Sequence, residues 1–205
     1  MTWLRCRALI ASDLWRYTGA YSRRLLWKHF FRTPGFRFTT LLRCYQCARA
    51  HRWCGRVGMR QLLAWMLRHY AIRYGLDISP DVRLGSGFYI GHVGGIVVNR
   101  NVIIGDNCNL SHGVTLGQLN RGDRAGCPIV GNNVYIAPGA VIAGSIRVGD
   151  YAAIGANAVV VNDVAASTTV GGVPARLIAS AGSEGYVNRT DYPPVPSPRE
   201  PGATR

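Results

Sequence analysis

Between Ile78 and Val160 the chain places an aliphatic residue at every sixth position. Ile78, Leu84 and Ile90 begin the series. Val98, Ile104, Leu110 and Leu116 continue it, and Val130, Ile136, Ile142, Val148, Ile154 and Val160 complete it after an interruption. A period of six matches neither the 3.6 of an α-helix nor the 2 of a flat strand. It is the mark of a parallel β-helix, in which three hexads close one triangular coil. The aliphatic residue of each hexad points inward, so stacked coils bury continuous columns.

The count breaks twice. Ile96 is in phase with Ile90, but the next coil restarts at Val98, which places a two-residue insertion between them. Gln118 to Ile129 leaves the period altogether and reads as a polar excursion through Asn120, Arg121, Gly122, Asp123 and Arg124. A glycine-bearing polar loop that interrupts a repeat is a candidate for function.

Residues 1–75 read as helices. Ser12-Asp13 is expected to cap a segment starting near Leu14, Thr33-Pro34-Gly35 is a break, and Gly55 and Gly58 mark a second one. Ala181 to Arg205, with five prolines from Pro193 to Pro201, is expected to be a disordered tail. The net charge of +14 is concentrated at the N-terminus: residues 1–76 hold 15 Lys/Arg and one acid, Asp13, while the remainder is neutral. Trp, Tyr and Phe interleave with Arg there, which suits helices that bury one face and offer a basic, amphipathic other face. Peripheral contact with an anionic membrane through residues 1–75 is one reading, and a solvated face is the other. No recognition module or stacking platform points to nucleic acid.

The six cysteines show no secreted spacing, and Arg5 and Arg7 interrupt Met1–Ser12 where a leader would be apolar. A cytoplasmic protein with reduced thiols is expected, at most peripheral to the inner membrane face. Cys44, Cys47, His51 and Cys54 have spacings that share one helix face, but the first and last would lie roughly 15 Å apart along it. One zinc ion cannot gather all four from a single helix, so they read as packed small residues and no metal is expected.

Two of the five histidines lie in the repeat. His92 and His112 each stand two residues past an inward aliphatic, and their separation of 20 is three hexads plus the insertion. They should occupy one corner on successive coils, about 4.8 Å apart. Imidazole suits a general base near neutral pH, and a general base beside a hydroxyl suits acyl transfer. Asp77, at the mouth of the repeat, is a candidate partner for the other ring nitrogen.

These residues carry a resemblance. Asp77-Ile78-Ser79-Pro80, the 15-residue step from Asp77 to His92, Ile90-Gly91-His92-Val93-Gly94-Gly95, Val114-Thr115-Leu116-Gly117 and Gly172-Val173-Pro174-Ala175-Arg176 are similar to motifs of serine O-acetyltransferases. Those belong to the left-handed parallel β-helix acyltransferases, and the likeness covers residues 77–178. It implies a mainly β fold: a left-handed parallel β-helix over 76–180, a short N-terminal α-helical segment over 1–75, and the tail. It further implies acetyl-CoA as co-substrate and a homotrimer whose subunits meet along the donor groove. His92 would be the base and Asp77 its orienting partner. Gly117, Ala137 and Gly155 would hold the pantetheine arm, with Arg176 near the nucleotide end.

Three positions depart from the serine enzymes. Gly91 stands where they place a second Asp, Cys127 stands where they carry a His before proline, and His112 stands where they commonly have Gln. All three are expected to touch the acceptor. Losing charged contacts to an ammonium group weakens amino-acid binding. Ser12-Asp13-Leu14-Trp15-Arg16-Tyr17 and Pro34-Gly35-Phe36-Arg37-Phe38 also resemble short members of this group from polysaccharide gene clusters. The expected activity is therefore O-acetylation of a saccharide hydroxyl, with L-serine as the alternative acceptor.

Overall fold

The computed structural model describes residues 1–51, 54 and 58–195. Four helices among them, α1 (Trp3–Thr18), α2 (Arg23–Arg32), α3 (Pro34–Arg49) and α4 (Met59–Tyr74), precede fifteen short strands. Gly75 stops α4 with φ +62° and passes the chain into β1 (Leu76–Ile78). Gly58 precedes α4 as its N-cap, whereas Gly55, the other expected break, lies outside the described residues.

The hexads form three parallel sheets, one per face of a prism. Sheet A stacks β1, β4 (Ile96–Val98), β7 (Thr115–Gly117), β10 (Val141–Ala143) and β13 (Val159–Val160). Sheet B stacks β2 (Arg83–Leu84), β5 (Ile103–Ile104), β8 (Ile129–Val130) and β11 (Arg147–Val148). Sheet C stacks β3 (Tyr89–Ile90), β6 (Asn109–Leu110), β9 (Tyr135–Ile136), β12 (Ala153–Ile154) and β14 (Thr169–Gly172). An antiparallel partner, β15 (Ala175–Ala179), closes sheet C at the far end.

Every residue of the expected aliphatic series except half-buried Leu84 is buried in one core. A second series runs two positions ahead of it: Leu76, Val82, Phe88, Ile96, Val102, Cys108 and Val114, then Val134, Ala140, Ile146, Ala152, Ala158 and Val164. Each hexad thus buries two side chains. This relocates the insertion. Leu76 pairs with Ile96 and Ile78 with Val98, so β4 is continuous. The two extra residues lie in the turn 91–95, which carries His92, and not after Ile96.

The first coil has no coil before it, and its strand edges would leave backbone groups unpaired. The helices supply the partners. Ser12 Oγ accepts from Gly87 N at 3.0 Å and Asp13 Oδ1 from Phe88 N at 2.8 Å. Arg16 donates to Gly87 O at 2.7 Å, and Tyr17 Oη both donates to Ile90 O and accepts from Ile90 N. From α3, Arg43 donates to Leu84 O and Gly85 O, and Gln46 to Pro80 O and Val82 O. Ser12-Asp13 therefore caps no helix start. Thr2 is the N-cap of α1, which runs unbroken through both residues.

The segment expected to be a disordered tail is ordered through its first half. Residues 181–192 run back along the prism as a strap. Ser183 N donates to Tyr151 O, Tyr186 stacks on Tyr135 at 4.5 Å, and Tyr186 O accepts from Asn109. Asp191 then accepts from Trp15 Nε1 at 3.1 Å, and Tyr192 Oη donates to Asn107 at 2.6 Å. Residues 196–205 lie outside the described residues.

Candidate functional site

Strand register fixes where each candidate residue sits. Ile90 pairs with Leu110, Leu110 with Ile136, and Ile136 with Ile154, so the turns after them stack on one corner, between sheets C and A. His92, His112, Ala137 and Gly155 all lie on that corner. The two imidazoles are exposed, with centroids 6.1 Å apart and planes at 83°, edge to face. Gly113 N donates to Gly94 O at 2.7 Å and ties the two histidine turns together. Gly94 and Gly95 both have φ in the left-handed region, +121° and +64°, which lets the longer first turn fold back beside the shorter second one.

The support behind His92 comes from the helices. Tyr17 is half-buried under β3, with its ring 4.4 Å from Tyr89 and 5.7 Å from Phe36. Burial pushes its phenol well above the ordinary tyrosine value, so its hydroxyl stays a proton donor to Ile90 O. A Cβ at Gly35 would overlap Ile90 O, so α3 can approach only with glycine there. Sequence reasoning noted Tyr17 and Gly35 within stretches of resemblance and missed this role, because the contact spans more than fifty residues.

Asp77 is the outward residue of β1, in register with Val97, which follows His92 into β4. It lines an open groove of about 410 Å³ with Arg68, Ile72 and Val97. Within the chain it makes no hydrogen bond or ion pair to a described residue. The expected Asp77–His92 contact is thus not formed here, although β1 opens and the His92 turn closes the same first coil.

Gly117 ends β7, on the opposite edge of sheet A. The excursion leaves from there as a hairpin, with Leu119 and Gly126 exchanging backbone bonds. It folds onto the next coil, where Ser145 N donates to Arg124 O, and does not reach the histidine corner. Cys127, at its end, lies within 3.9 Å of Gln118 Oε1, and burial pushes its thiol up. The histidines and Cys127 therefore lie at opposite edges of sheet A. Arg176 is exposed on β15, beside an open cavity of about 320 Å³ at the end of the prism.

Comparison with known proteins agrees with this architecture. The family model "Bacterial transferase hexapeptide (six repeats)" matches residues 127–162. A serine acetyltransferase of Synechococcus elongatus is 40% identical over 108 residues, covering 53% of this chain and 44% of its own. The crystal structure of the Brucella abortus serine acetyltransferase superposes with a TM-score of 0.66 at 32% identity, over 87% of this chain and 69% of that one. The Neisseria gonorrhoeae enzyme in complex with serine gives 0.67 at 30%, over 85% and 69%. The chain belongs to the serine acetyltransferase-like hexapeptide-repeat family. It spans about half the length of the curated relatives it matches.

Along sheet A of this serine acetyltransferase-like chain the candidate residues divide between two edges. One edge of sheet A carries the base candidates, and the other carries Gly117 and Cys127. Between them the outward residues are Asp77, Val97, Thr115, Val141 and Val159. Val97 is 40% exposed, and the column is almost wholly β-branched. Gly91 precedes His92 as a bare turn residue facing the Tyr89 ring, so position 91 itself places no charge beside the imidazole.

Proposed function

We propose that this chain is an acetyl-CoA-dependent O-acetyltransferase that works as a homotrimer in the cytoplasm, with L-serine as acceptor. The observation that carries the reading is the exposed His92–His112 pair on one corner of a hexapeptide prism of this family. The β-branched outer column of sheet A, Val97, Thr115, Val141 and Val159, supports the trimer, because it is a face that a neighbouring copy would cover. That packing brings the Gly117–Cys127 edge of one subunit towards the histidine edge of the next.

In this reading His92 removes the acceptor hydroxyl proton as the oxygen attacks the thioester carbonyl. The tetrahedral intermediate then collapses, the C–S bond breaks, and the proton returns from His92 to the CoA sulfur. Asp77 orients and stabilises the imidazolium once side-chain rotation brings the two together. Ala137 and Gly155 offer a strip of small residues along the same corner for the pantetheine arm. Arg176 supplies a cation at the end of that strip for the nucleotide phosphates.

Serine leads because the named relatives are serine acetyltransferases and one was solved with serine. A saccharide acceptor is the second reading, favoured by uncharged Gly91 and Cys127 at the positions expected to meet an amino acid. Thiol release from acetyl-CoA, with L-serine against a panel of sugars, separates them. His92→Ala should lower turnover by about 10²–10⁴-fold with the fold unchanged. If His112→Ala is inactive and His92→Ala active, the base is His112. A monomer by light scattering removes the intersubunit site.

A further inference from the structure

Among the described helices α2 is the one with no buried residue. Leu25, Leu26 and Phe30 rest against the neighbouring clusters, His29 is half-buried beside Tyr17, and the remaining large side chains point away. Trp27 is 58% and Phe31 65% exposed, and their rings stack on each other at 5.9 Å and 18°. On a helical wheel Arg24, Lys28 and Arg32 flank this pair on one side and Arg23 on the other. Arg24, Lys28 and Arg32 also line an open cleft of about 600 Å³ with Leu25. No acid lies on α2. The one acid of the N-terminal segment, Asp13, is buried and held by Arg43.

The presentation is rigid. Ser22 caps the start of α2 by accepting from Leu25 N. At the other end Arg37 donates to Phe30 O and Phe31 O, reaches Tyr74 Oη at 2.5 Å and sits 5.0 Å from the Tyr70 ring. The aromatic pair therefore stands on a helix anchored at both ends.

We propose that the outer face of α2 docks on an anionic lipid surface, with Trp27 and Phe31 in the headgroup layer and Arg24, Lys28 and Arg32 on the lipid phosphates. An aromatic strip bordered by cations matches the interface of a negatively charged bilayer, which is apolar inside and anionic outside. Charge argues against a second copy as the occupant, since two such faces would bring eight cations together without an acid. No part of this depends on the acetyltransferase reading.

The test is co-sedimentation of the full chain with phosphatidylcholine vesicles, with and without phosphatidylglycerol. Binding is expected only with the anionic lipid and should weaken as salt is raised. Trp27→Ala/Phe31→Ala should lower partitioning at least tenfold. Arg24→Gln/Lys28→Gln/Arg32→Gln should lower it on the order of a hundredfold, roughly fivefold per cation. All five side chains are exposed, so both variants should keep the wild-type unfolding transition and subunit mass. Failure to bind anionic vesicles, or equal binding by wild type and variants, overturns the proposal. A smaller oligomer in either variant assigns the face to a subunit contact. Tighter binding of a short RNA than of anionic vesicles assigns it to nucleic acid. Either result also overturns the proposal.

Discussion

Tyr17→Phe removes one oxygen atom and tests how the helices hold the histidine turn. Tyr17 Oη donates to Ile90 O at 2.9 Å and accepts from Ile90 N at 3.1 Å. Ile90 lies on the open edge of the first coil, two residues before His92. Phenylalanine keeps the ring packing on Tyr89 and Phe36 and leaves one N–H and one C=O without partners. Each buried orphan costs about 1–3 kcal/mol, so the loss should be about 2–6 kcal/mol. Tyr21→Phe, on an exposed ring, is the control and should stay within about 0.5 kcal/mol of wild type.

In a stacked-coil protein such a loss need not spread evenly, because each coil contacts only its neighbours. Urea unfolding should therefore be paired with amide hydrogen exchange. Exchange should accelerate at β3 and the 91–95 turn while the coils around Ile142 and Ile154 stay protected. Acetyl transfer should fall through kcat, since a looser turn misplaces His92 without removing it. If Tyr17→Phe unfolds within about 0.5 kcal/mol of wild type with unchanged exchange at β3, edge capping by α1 is not what holds this coil.

Other predictions rest on buried groups. Arg43→Met strands the Asp13 carboxylate, whose pKa burial already raises, and should cost about 3–5 kcal/mol. A carboxyl with a raised folded pKa favours the folded state in acid and loses that benefit as pH rises. The deficit should thus be smallest in acid and largest near neutrality, and a pH-independent deficit in chemical unfolding would refute the assignment. Burial pushes the Cys108 thiol up to about 12, and its Sγ lies 3.1 Å from Gly131 O. Iodoacetamide should label the part-exposed Cys127 in the native protein and reach Cys108 only after unfolding, as read by mass spectrometry.

Sequence periodicity revealed the prism because burial acts at every coil in the same way. It located the histidine corner for the same reason, since a spacing of 20 becomes the Ile90–Leu110 register. What it missed was non-periodic. Ile96 fitted two counts at once, and only the pairing with Leu76 shows which one it serves. Ser12-Asp13 has the composition of a helix cap, but the backbone amides it serves belong to Gly87 and Phe88, 75 residues away. The strap was hidden by its own composition. Its proline-rich end reads as disorder, while single side chains such as Tyr186 and Asp191 tie down the part before it.

The same geometry divides the basic charge of the N-terminal segment in two. An open strand edge presents carbonyls as well as amides, and arginine offers five donors on a cation that stays charged. Arg16 and Arg43 are spent this way, on Gly87 O, Leu84 O and Gly85 O, and Arg37 does the same for the last turn of α2. These three guanidiniums are part of the fold and are unavailable to an outside anion. Arg23, Arg24, Lys28 and Arg32 make no such bond to a described residue and are exposed around two exposed aromatic rings. An excess that looks uniform in the sequence is therefore structural where it meets the β-helix and free where it faces outward on α2. Raising salt should accordingly weaken what α2 binds while leaving the buried Arg43–Asp13 pair, and the coil it caps, largely unaffected.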